Sequence, residues 1–227
     1  MTRQIGPIDA CVFDAYGTLF DVAAAAARCR DDLHGKADQL ADVWRLKQLQ
    51  YTWLRSLMRR YVDFTQVTGD ALDYALAAVG IDDPPLRERL MALYMELDAY
   101  PEVPEMLRRL RAGGLKTGIL TNGSPKMIDA AVASAGLGDL LDAVLTVDPL
   151  GIYKPDPSVY RLALDRFGVP VERIAFMSSN AWDAAAAADF GMTVVWVNRF
   201  GQPPERLPGT PVAELTSLEA LPELFGV

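Results

Sequence analysis

The chain has 227 residues, 51% of them apolar, and its formal net charge is −8. This length and composition suit one domain, or one domain with a large insertion, and exclude a disordered chain. Its 22 lysine and arginine residues form no basic run, so we expect a small-molecule partner and neither nucleic acid nor a membrane.

The first predicted strand is the apolar run DACVF at residues 9–13, which Asp14 follows directly. Residues 22–98 contain no convincing strand and have helical spacing instead. That spacing runs through Leu49, Trp53, Leu57 and Tyr61. We therefore predict a helical cap of residues 22–98, inserted into a catalytic core of residues 1–21 and 99–227.

The remainder of the chain alternates short, nearly continuous apolar runs with amphipathic helix patterns. The predicted strands are 115–120, 142–147, 173–178 and 193–198, and the predicted helices lie near 104–112, 125–135, 157–167 and 183–190. Ser124 and Asp156 each precede a proline, as capping residues do at helix starts. The alternation predicts an α/β fold with a Rossmann-like, doubly wound parallel sheet.

Several features narrow the chemistry and the location. Cys11 and Cys29 have no metal-ligating neighbours, which favours reduced thiols in a cytoplasmic protein. No apolar stretch approaches the roughly 18 residues of a spanning helix, and the first ten residues lack the core of a secretory signal. The only histidine, His34, stands in a polar stretch, which disfavours a Ser-His-Asp or Cys-His catalyst.

Polar residues follow four predicted strands or the loops after them. They are Asp14, Thr121, Asn122, Lys154, Ser178, Asn180 and Asp183. Ligands of parallel α/β sheets bind at the carboxyl ends of the strands, so these side chains are expected to converge. The set suits nucleophilic attack by Asp14, with Lys154 keeping its carboxylate ionised and Asn180 and Asp183 holding a water. Thr121 precedes a predicted helix N-terminus, which favours an anion such as a carboxylate or phosphate.

The motifs DAYGTLFD, TNGSP, KPDPSVY and SSNAWD, in this order, resemble the haloacid dehalogenase superfamily, and within it the L-2-haloacid dehalogenases. Residues 43–64 resemble the first long cap helix of those enzymes, so the resemblance spans nearly the whole chain. It implies hydrolysis of short L-2-haloalkanoic acids to D-2-hydroxy acids and halide, with no organic cofactor and no metal. It also implies a homodimer, for which the apolar helix near Trp53 is a candidate interface.

Site residues follow from the motifs and the resemblance together. The predicted catalytic residues are Asp14, Thr18, Arg45, Lys154, Ser178, Asn180 and Asp183. The predicted substrate-binding residues are Tyr16, Arg45, Leu49, Phe64, Thr121, Asn122, Tyr160 and Trp182. The resemblance implies that Arg45 and Asn122 receive the halide and that Leu49, Phe64 and Trp182 form an apolar wall. It also implies that Thr18 braces the Asp14 loop and that Tyr160 supports the site near Lys154.

Two rival functions remain open on the sequence. Superfamily phosphatases resemble this chain at Asp14, Thr18, Thr121-Asn122 and Lys154-Pro155, but they usually carry a second aspartate where this chain has Tyr16. The first rival is thus a magnesium-dependent phosphomonoesterase, and the second is a catalytically silent binding module.

Two positions also depart from the dehalogenase pattern. Related enzymes often have serine at the position of Thr121 and glutamine at the position of Leu46. We expect these departures to affect halide or substrate preference and not the reaction.

Overall fold

The computed structural model describes residues 5–22, 28, 30–33 and 35–227, so Cys29 and His34 lie outside the described residues. Its strands form one six-stranded parallel sheet in the order β3-β2-β1-β4-β5-β6. They are β1 (Ala10–Phe13), β2 (Lys116–Thr121), β3 (Ala143–Thr146), β4 (Ile174–Ser178), β5 (Thr193–Val197) and β6 (Ala213–Leu215). The predicted Rossmann-like α/β fold is confirmed, and five of these strands agree with the predicted ones to within a residue at each end.

Eight α-helices are present in the described part of the chain. They are α1 (Ala37–Met58), α2 (Phe64–Val79), α3 (Pro84–Ala92), α4 (Val103–Ala112), α5 (Pro125–Ser134), α6 (Pro157–Phe167), α7 (Ala181–Phe190) and α8 (Leu221–Leu224). Helices α4 and α6 pack on β2, and α7 packs on β4 and β5. Strands β1 and β4 are fully buried, as expected for the centre of a sheet covered by helices. None of the described helices is both long and apolar enough to cross a membrane.

Helices α1 to α3 lie between β1 and β2 in the chain, and α1 packs along α2. The two segments that join this helical part to the sheet run side by side, because Asp21 N donates to Asp98 O and Tyr100 N donates to Leu19 O, each at 2.9 Å. These contacts lie at the boundaries expected from the sequence. The division into a core and a cap of residues 22–98 stays a prediction.

Two local expectations are wrong. The first long helix ends at Met58, where Arg59 takes a left-handed conformation with φ of 56°, so Tyr61 lies outside it and Leu57 is 81% exposed. The Ser124 side chain makes no cap hydrogen bond to α5, because its hydroxyl pairs with Thr65 Oγ1 at 2.8 Å. The cap predicted at Asp156 is present, since its side chain accepts from Ser158 N at 2.9 Å.

Candidate active site

Asp14 stands at the carboxyl end of β1, where its own N–H still donates to Met177 O on the neighbouring strand β4 at 2.9 Å. Its side chain is nearly buried and accepts three polar contacts from separate parts of the chain. Lys154 Nζ lies 3.2 Å from Oδ1, while Thr18 Oγ1 and Asn180 Nδ2 lie 3.2 and 2.9 Å from Oδ2. The structure therefore brings together the strand ends that the sequence placed at one edge of the sheet.

Lys154 bridges two carboxylates in the interior. Its Nζ contacts Asp183 Oδ2 at 2.8 Å as well as Asp14, its side chain is 1% exposed, and the ammonium lies 4.9 Å from the Phe176 ring centre. Burial lowers the pKa of Lys154, but the two carboxylates raise it by more, so it lies above the usual lysine value. The backbone N–H of Lys154 donates to Asn122 Oδ1 at 3.0 Å, and this contact brings the Asn122 side chain to the site. Lys154 is therefore a fixed cation beside Asp14.

Asp183 lies behind Lys154 in the first turn of α7 and is fully buried. Tyr160 OH donates to its Oδ1 at 2.7 Å, and Ser178 Oγ donates to its Oδ2 at 3.1 Å. Burial raises the pKa of Asp183, against the opposing effects of Lys154 and the Tyr160 hydroxyl. The structure places Tyr160 in this buried cluster, where its side chain is 0% exposed and its hydroxyl bonds to Asp183.

The loop after Asp14 is braced from β4. Thr18 Oγ1 accepts from Ser179 N at 2.8 Å and lies 3.1 Å from Ser179 Oγ. Gly17 has φ of +83°, a conformation that glycine adopts without strain, and a Cβ there would lie 3.1 Å from Ser179 Oγ. The glycine thus allows the turn that brings the Thr18 hydroxyl back to Asp14.

Arg45 reaches the site from α1. Its Nη2 donates to Asn180 Oδ1 at 2.8 Å, and the same Asn180 side chain donates to Asp14. Its Nη1 donates to Gln48 Oε1 at 2.8 Å, a partner that the sequence reasoning did not identify. The sequence did contain a signal for this contact, because side chains three residues apart on one helix lie close together. Leu46, beside Arg45 in the sequence, is 52% exposed, and its expected effect on halide or substrate preference stays a prediction.

Aromatic rings cover the site between the sheet and the helices α1 and α2. Tyr16 stacks on Phe64 with ring centres 6.0 Å apart and lies 5.9 Å from Tyr94. Tyr16 OH is buried and has no hydrogen-bond partner among the described residues, and burial raises its pKa. A Cβ at Gly123 would lie 2.7 Å from the Tyr16 ring, so only glycine leaves room for it there.

The remaining predicted residues lie around this cluster. Thr121 ends β2 fully buried, with its Oγ1 accepting from Gly123 N at 3.0 Å. Trp182 packs edge-on against Trp53 of α1 with ring centres 5.4 Å apart, and both indole N–H groups are buried without a partner among the described residues. Leu49 is half-buried one turn after Arg45 on α1. The roles predicted for these residues stay predictions.

A cavity of about 350 Å³ opens beside the cluster. Its lining includes Tyr16, Trp44, Arg45, Tyr94 and Asn180. The volume is at the lower end of the range for small-molecule sites, and its lining is mostly apolar with a few polar groups, as such sites usually are. The cavity can hold a small molecule next to Arg45 and Asn180, and its lining also includes the acid Asp42.

Comparison with known proteins places the chain among hydrolases. The family model described as haloacid dehalogenase-like hydrolase matches residues 8–191. An (S)-2-haloacid dehalogenase from Pseudomonas sp. (strain YL) is 48% identical over 219 residues, which are 96% of this chain and 94% of that protein. An (S)-2-haloacid dehalogenase 4A from Burkholderia cepacia is 46% identical over 89% of this chain and 88% of its own.

Solved structures agree with these relatives. The crystal structure of an L-2-haloacid dehalogenase matches with a TM-score of 0.95 at 44% identity, covering 98% of this chain and 100% of that one. The L-2-haloacid dehalogenase from Xanthobacter autotrophicus, solved with chloropropionic acid covalently bound, matches with a TM-score of 0.88 at 37% identity. That match covers 96% of this chain and 98% of the other.

Proposed function

This chain belongs to the haloacid dehalogenase-like hydrolases, and from that premise we propose that it hydrolyses short L-2-haloalkanoic acids to D-2-hydroxyalkanoic acids and halide. One observation carries the proposal. The Asp14 carboxylate lies beside a buried ammonium and beneath an arginine that reaches down to Asn180. This arrangement offers a nucleophile on one side and a cation for a departing anion on the other.

In the first step, Asp14 attacks C2 of the substrate from the side opposite the halogen. A carbon–oxygen bond forms as the carbon–halogen bond breaks, and the halide leaves with the electron pair, so the configuration at C2 inverts. The product of this step is an ester of Asp14. Lys154 Nζ, at 3.2 Å, pairs with the attacking carboxylate, and Thr18 and Asn180 orient that carboxylate by hydrogen bonds.

The halide leaves toward Arg45 and Asn122. Asn122 Oδ1 accepts from Lys154 N, so we assign the nitrogen of the same amide as the donor to the halide. A guanidinium stabilises the charge that develops on the leaving halogen, and it needs no proton transfer. We assign the substrate carboxylate to Thr121 and the N–H groups that precede α5, and its apolar part to Tyr16, Leu49, Phe64 and Trp182.

In the second step, water attacks the Asp14 carbonyl and releases the D-2-hydroxy acid. We assign the orientation of this water to Asn180, Asp183 and Lys154. Burial raises the pKa of Asp183, which makes its carboxylate a stronger proton acceptor than an exposed one. Ser178 and Tyr160 hold that carboxylate in place. Overall, one water is consumed, and one proton leaves with the halide.

A magnesium-dependent phosphatase fits these residues less well. The carboxylates of Asp14 and Asp183 both contact Lys154 Nζ, whereas Mg²⁺ requires several oxygen ligands in octahedral geometry. Among the described residues, no group of three or more His, Cys, Asp or Glu side chains could hold a metal ion. Tyr16, with its raised pKa, stands where a phosphatase would need an acid for its leaving alkoxide.

Two assays test the proposal. Halide release from L- and D-2-chloropropionate, with and without EDTA, should show activity on the L form that EDTA leaves unchanged. EDTA-sensitive phosphate release from a phosphomonoester, with no halide release, would favour the phosphatase. The variant Asp14→Asn should lose halide release, whereas a binding module would retain its ligand affinity.

The covalent route has its own test. A single turnover in heavy-oxygen water should yield a hydroxy acid whose new hydroxyl is unlabelled, because its oxygen comes from Asp14. Label in that first product would contradict attack by Asp14 at C2.

We also propose a cytoplasmic homodimer. The buried thiol of Cys11 is free, as in proteins of reducing compartments. Leu54, Leu57 and Met58, near Trp53 on α1, are 51%, 81% and 67% exposed and would supply an apolar interface. Light scattering of the wild type should give twice the mass of one chain, and Leu57→Asp should give the mass of a single chain.

A further inference from the structure

Gln48 is a buried polar side chain of α1 that has no role in the function argued above. It is 0% exposed, yet both ends of its amide have partners. Oε1 accepts from Arg45 Nη1 at 2.8 Å, and Nε2 donates to Thr68 Oγ1 at 2.9 Å. We propose that Gln48 is the positioning residue that holds the Arg45 guanidinium over Asn180, ready for the departing halide. This inference rests on the proposed function, in which Arg45 receives that halide.

The surrounding helices set the direction of the Gln48 amide. Its Nε2 faces two hydroxyl oxygens, those of Thr68 and of Tyr94, the second at 3.4 Å. Thr68 is in turn held in place by its own carbonyl, which accepts from Trp44 Nε1 at 2.9 Å. Since arginine only donates hydrogen bonds, the oxygen end of the amide is the end that serves it. The packing of α1 on α2 is thereby transmitted to the orientation of Arg45.

A neutral amide suits this position better than a carboxylate would. Arginine has a long side chain that loses rotamer freedom when it is held in one geometry, and a second anchor besides Asn180 limits its alternatives. A carboxylate would hold the guanidinium equally well, but it would also pair with its charge and weaken the attraction for a halide. Gln48 therefore fixes the cation without neutralising it.

The test compares three variants, Gln48→Leu, Gln48→Glu and Gln50→Leu. Gln50 is the matched control, because it lies on the same helix and its Oε1 also accepts from a cation, Lys47 Nζ at 3.0 Å. Gln48→Glu keeps the size of the side chain and can still accept from Thr68 and Tyr94, so it separates an effect on Arg45 from a loss of packing. The readouts are kcat and KM for L-2-chloropropionate and L-2-bromopropionate, and the affinity for bromide by calorimetry.

A misplaced Arg45 should affect the poorer leaving group more, because chloride needs more stabilisation in the transition state. We expect kcat for the chloro substrate to fall about ten-fold in Gln48→Leu, which releases Arg45, with a smaller fall for the bromo substrate. In Gln48→Glu we expect a fall at least as large, because the carboxylate pairs with the charge of Arg45 and weakens its attraction for the halide. Bromide affinity should fall about ten-fold in both variants. The KM values should change little, since the substrate carboxylate is bound elsewhere, and Gln50→Leu should match the wild type.

The proposal is overturned if both Gln48 variants keep the wild-type ratio of chloro to bromo turnover and the wild-type bromide affinity. An equal fall for both substrates with unchanged bromide affinity also overturns it, because that result indicates a general loss of structure. Failure of the proposed function gives a different result: the wild type releases no halide from either substrate. If bromide then still binds, and binds more weakly in both Gln48 variants, the positioning of Arg45 stands without the dehalogenation.

Discussion

Replacing Lys154 with methionine removes the cation that contacts both the Asp14 and the Asp183 carboxylates. Its Nζ lies 3.2 Å from Asp14 Oδ1 and 2.8 Å from Asp183 Oδ2. With an effective dielectric constant of about 20, these distances correspond to gross attractions of about 5 and about 6 kcal/mol. Burial of the three charges offsets much of this, since each costs several kcal/mol. We expect a net loss of about 3–5 kcal/mol in the free energy of unfolding at pH 8, together with loss of halide release.

The stability that Lys154→Met loses relative to the wild type should be larger at high pH than at low pH. Burial already raises the pKa of Asp183, and removal of Lys154, which lowers that pKa, should raise it further. A carboxyl group whose folded pKa is raised destabilises the folded state above that pKa, and the loss is relieved as the pH falls toward the unfolded value of about 3.9. Urea unfolding of the wild type and of Lys154→Met should therefore show a smaller difference in the free energy of unfolding at pH 5 than at pH 8.

The wild type should lose the contribution of Lys154 only in strong alkali. Because its folded pKa is raised, the stability it adds is fully present below the unfolded value of about 10.4 and is lost as the pH rises through the folded value. The difference between wild type and Lys154→Met should thus stay constant from pH 8 to 10 and narrow above that.

Lys126→Met is the control, since Lys126 is exposed, and it should change neither stability nor turnover. Wild-type values of the unfolding midpoint and of halide release in Lys154→Met at pH 8 would refute the assigned role of the buried ammonium.

Two further substitutions test packing and hydrogen bonding around the site. Gly123→Ala places a Cβ 2.7 Å from the Tyr16 ring, so it should lower the free energy of unfolding by about 1–3 kcal/mol and reduce turnover. Gly138→Ala is the control, because a Cβ there has no atom within 4 Å, and it should change neither quantity. Equal effects of the two substitutions would argue against the contact. Tyr160→Phe removes the hydroxyl that donates to Asp183 Oδ1, so it should lower the free energy of unfolding by about 1–3 kcal/mol. In single-turnover kinetics it should slow hydrolysis of the ester more than formation of the ester. An unchanged rate of ester hydrolysis would contradict the role of this contact.

The sheet was predictable because most of its strands are short, nearly continuous apolar runs between amphipathic helix patterns. Five strands followed from such runs, but β6 did not, since Ala213–Leu215 is a three-residue edge strand whose residues are exposed or only partly buried. The end of α1 was also missed, because the apolar spacing continues past Met58 while the backbone turns at Arg59. A periodic pattern reports which side chains could share a face, and tertiary contacts decide where the helix stops.

The polar cluster was predictable only in part. The residues around Asp14 could be gathered from the sequence because parallel strands deliver their carboxyl ends to one edge. The pairing of Ser124 with Thr65 joins side chains of separate elements, so it depends on how α2 packs beside the start of α5. The pairing of Arg45 with Gln48 lies within α1 and follows from a spacing of three residues. Serine before proline predicts a cap on local grounds, and a partner on another helix overrides that preference.

Tyr16 illustrates how a local departure acquires meaning from its surroundings. Two residues after Asp14, it stacks on Phe64 and lies close to Gly123, which leaves space for its ring. Burial raises the pKa of its hydroxyl, so the group is a poorer proton donor to a leaving oxygen than an exposed tyrosine. Phosphate ester hydrolysis benefits from an acid at this point, whereas a halide departs as a stable anion and requires none. A buried tyrosine at this position therefore fits the proposed attack at carbon, and Gly123 leaves the space that its ring occupies.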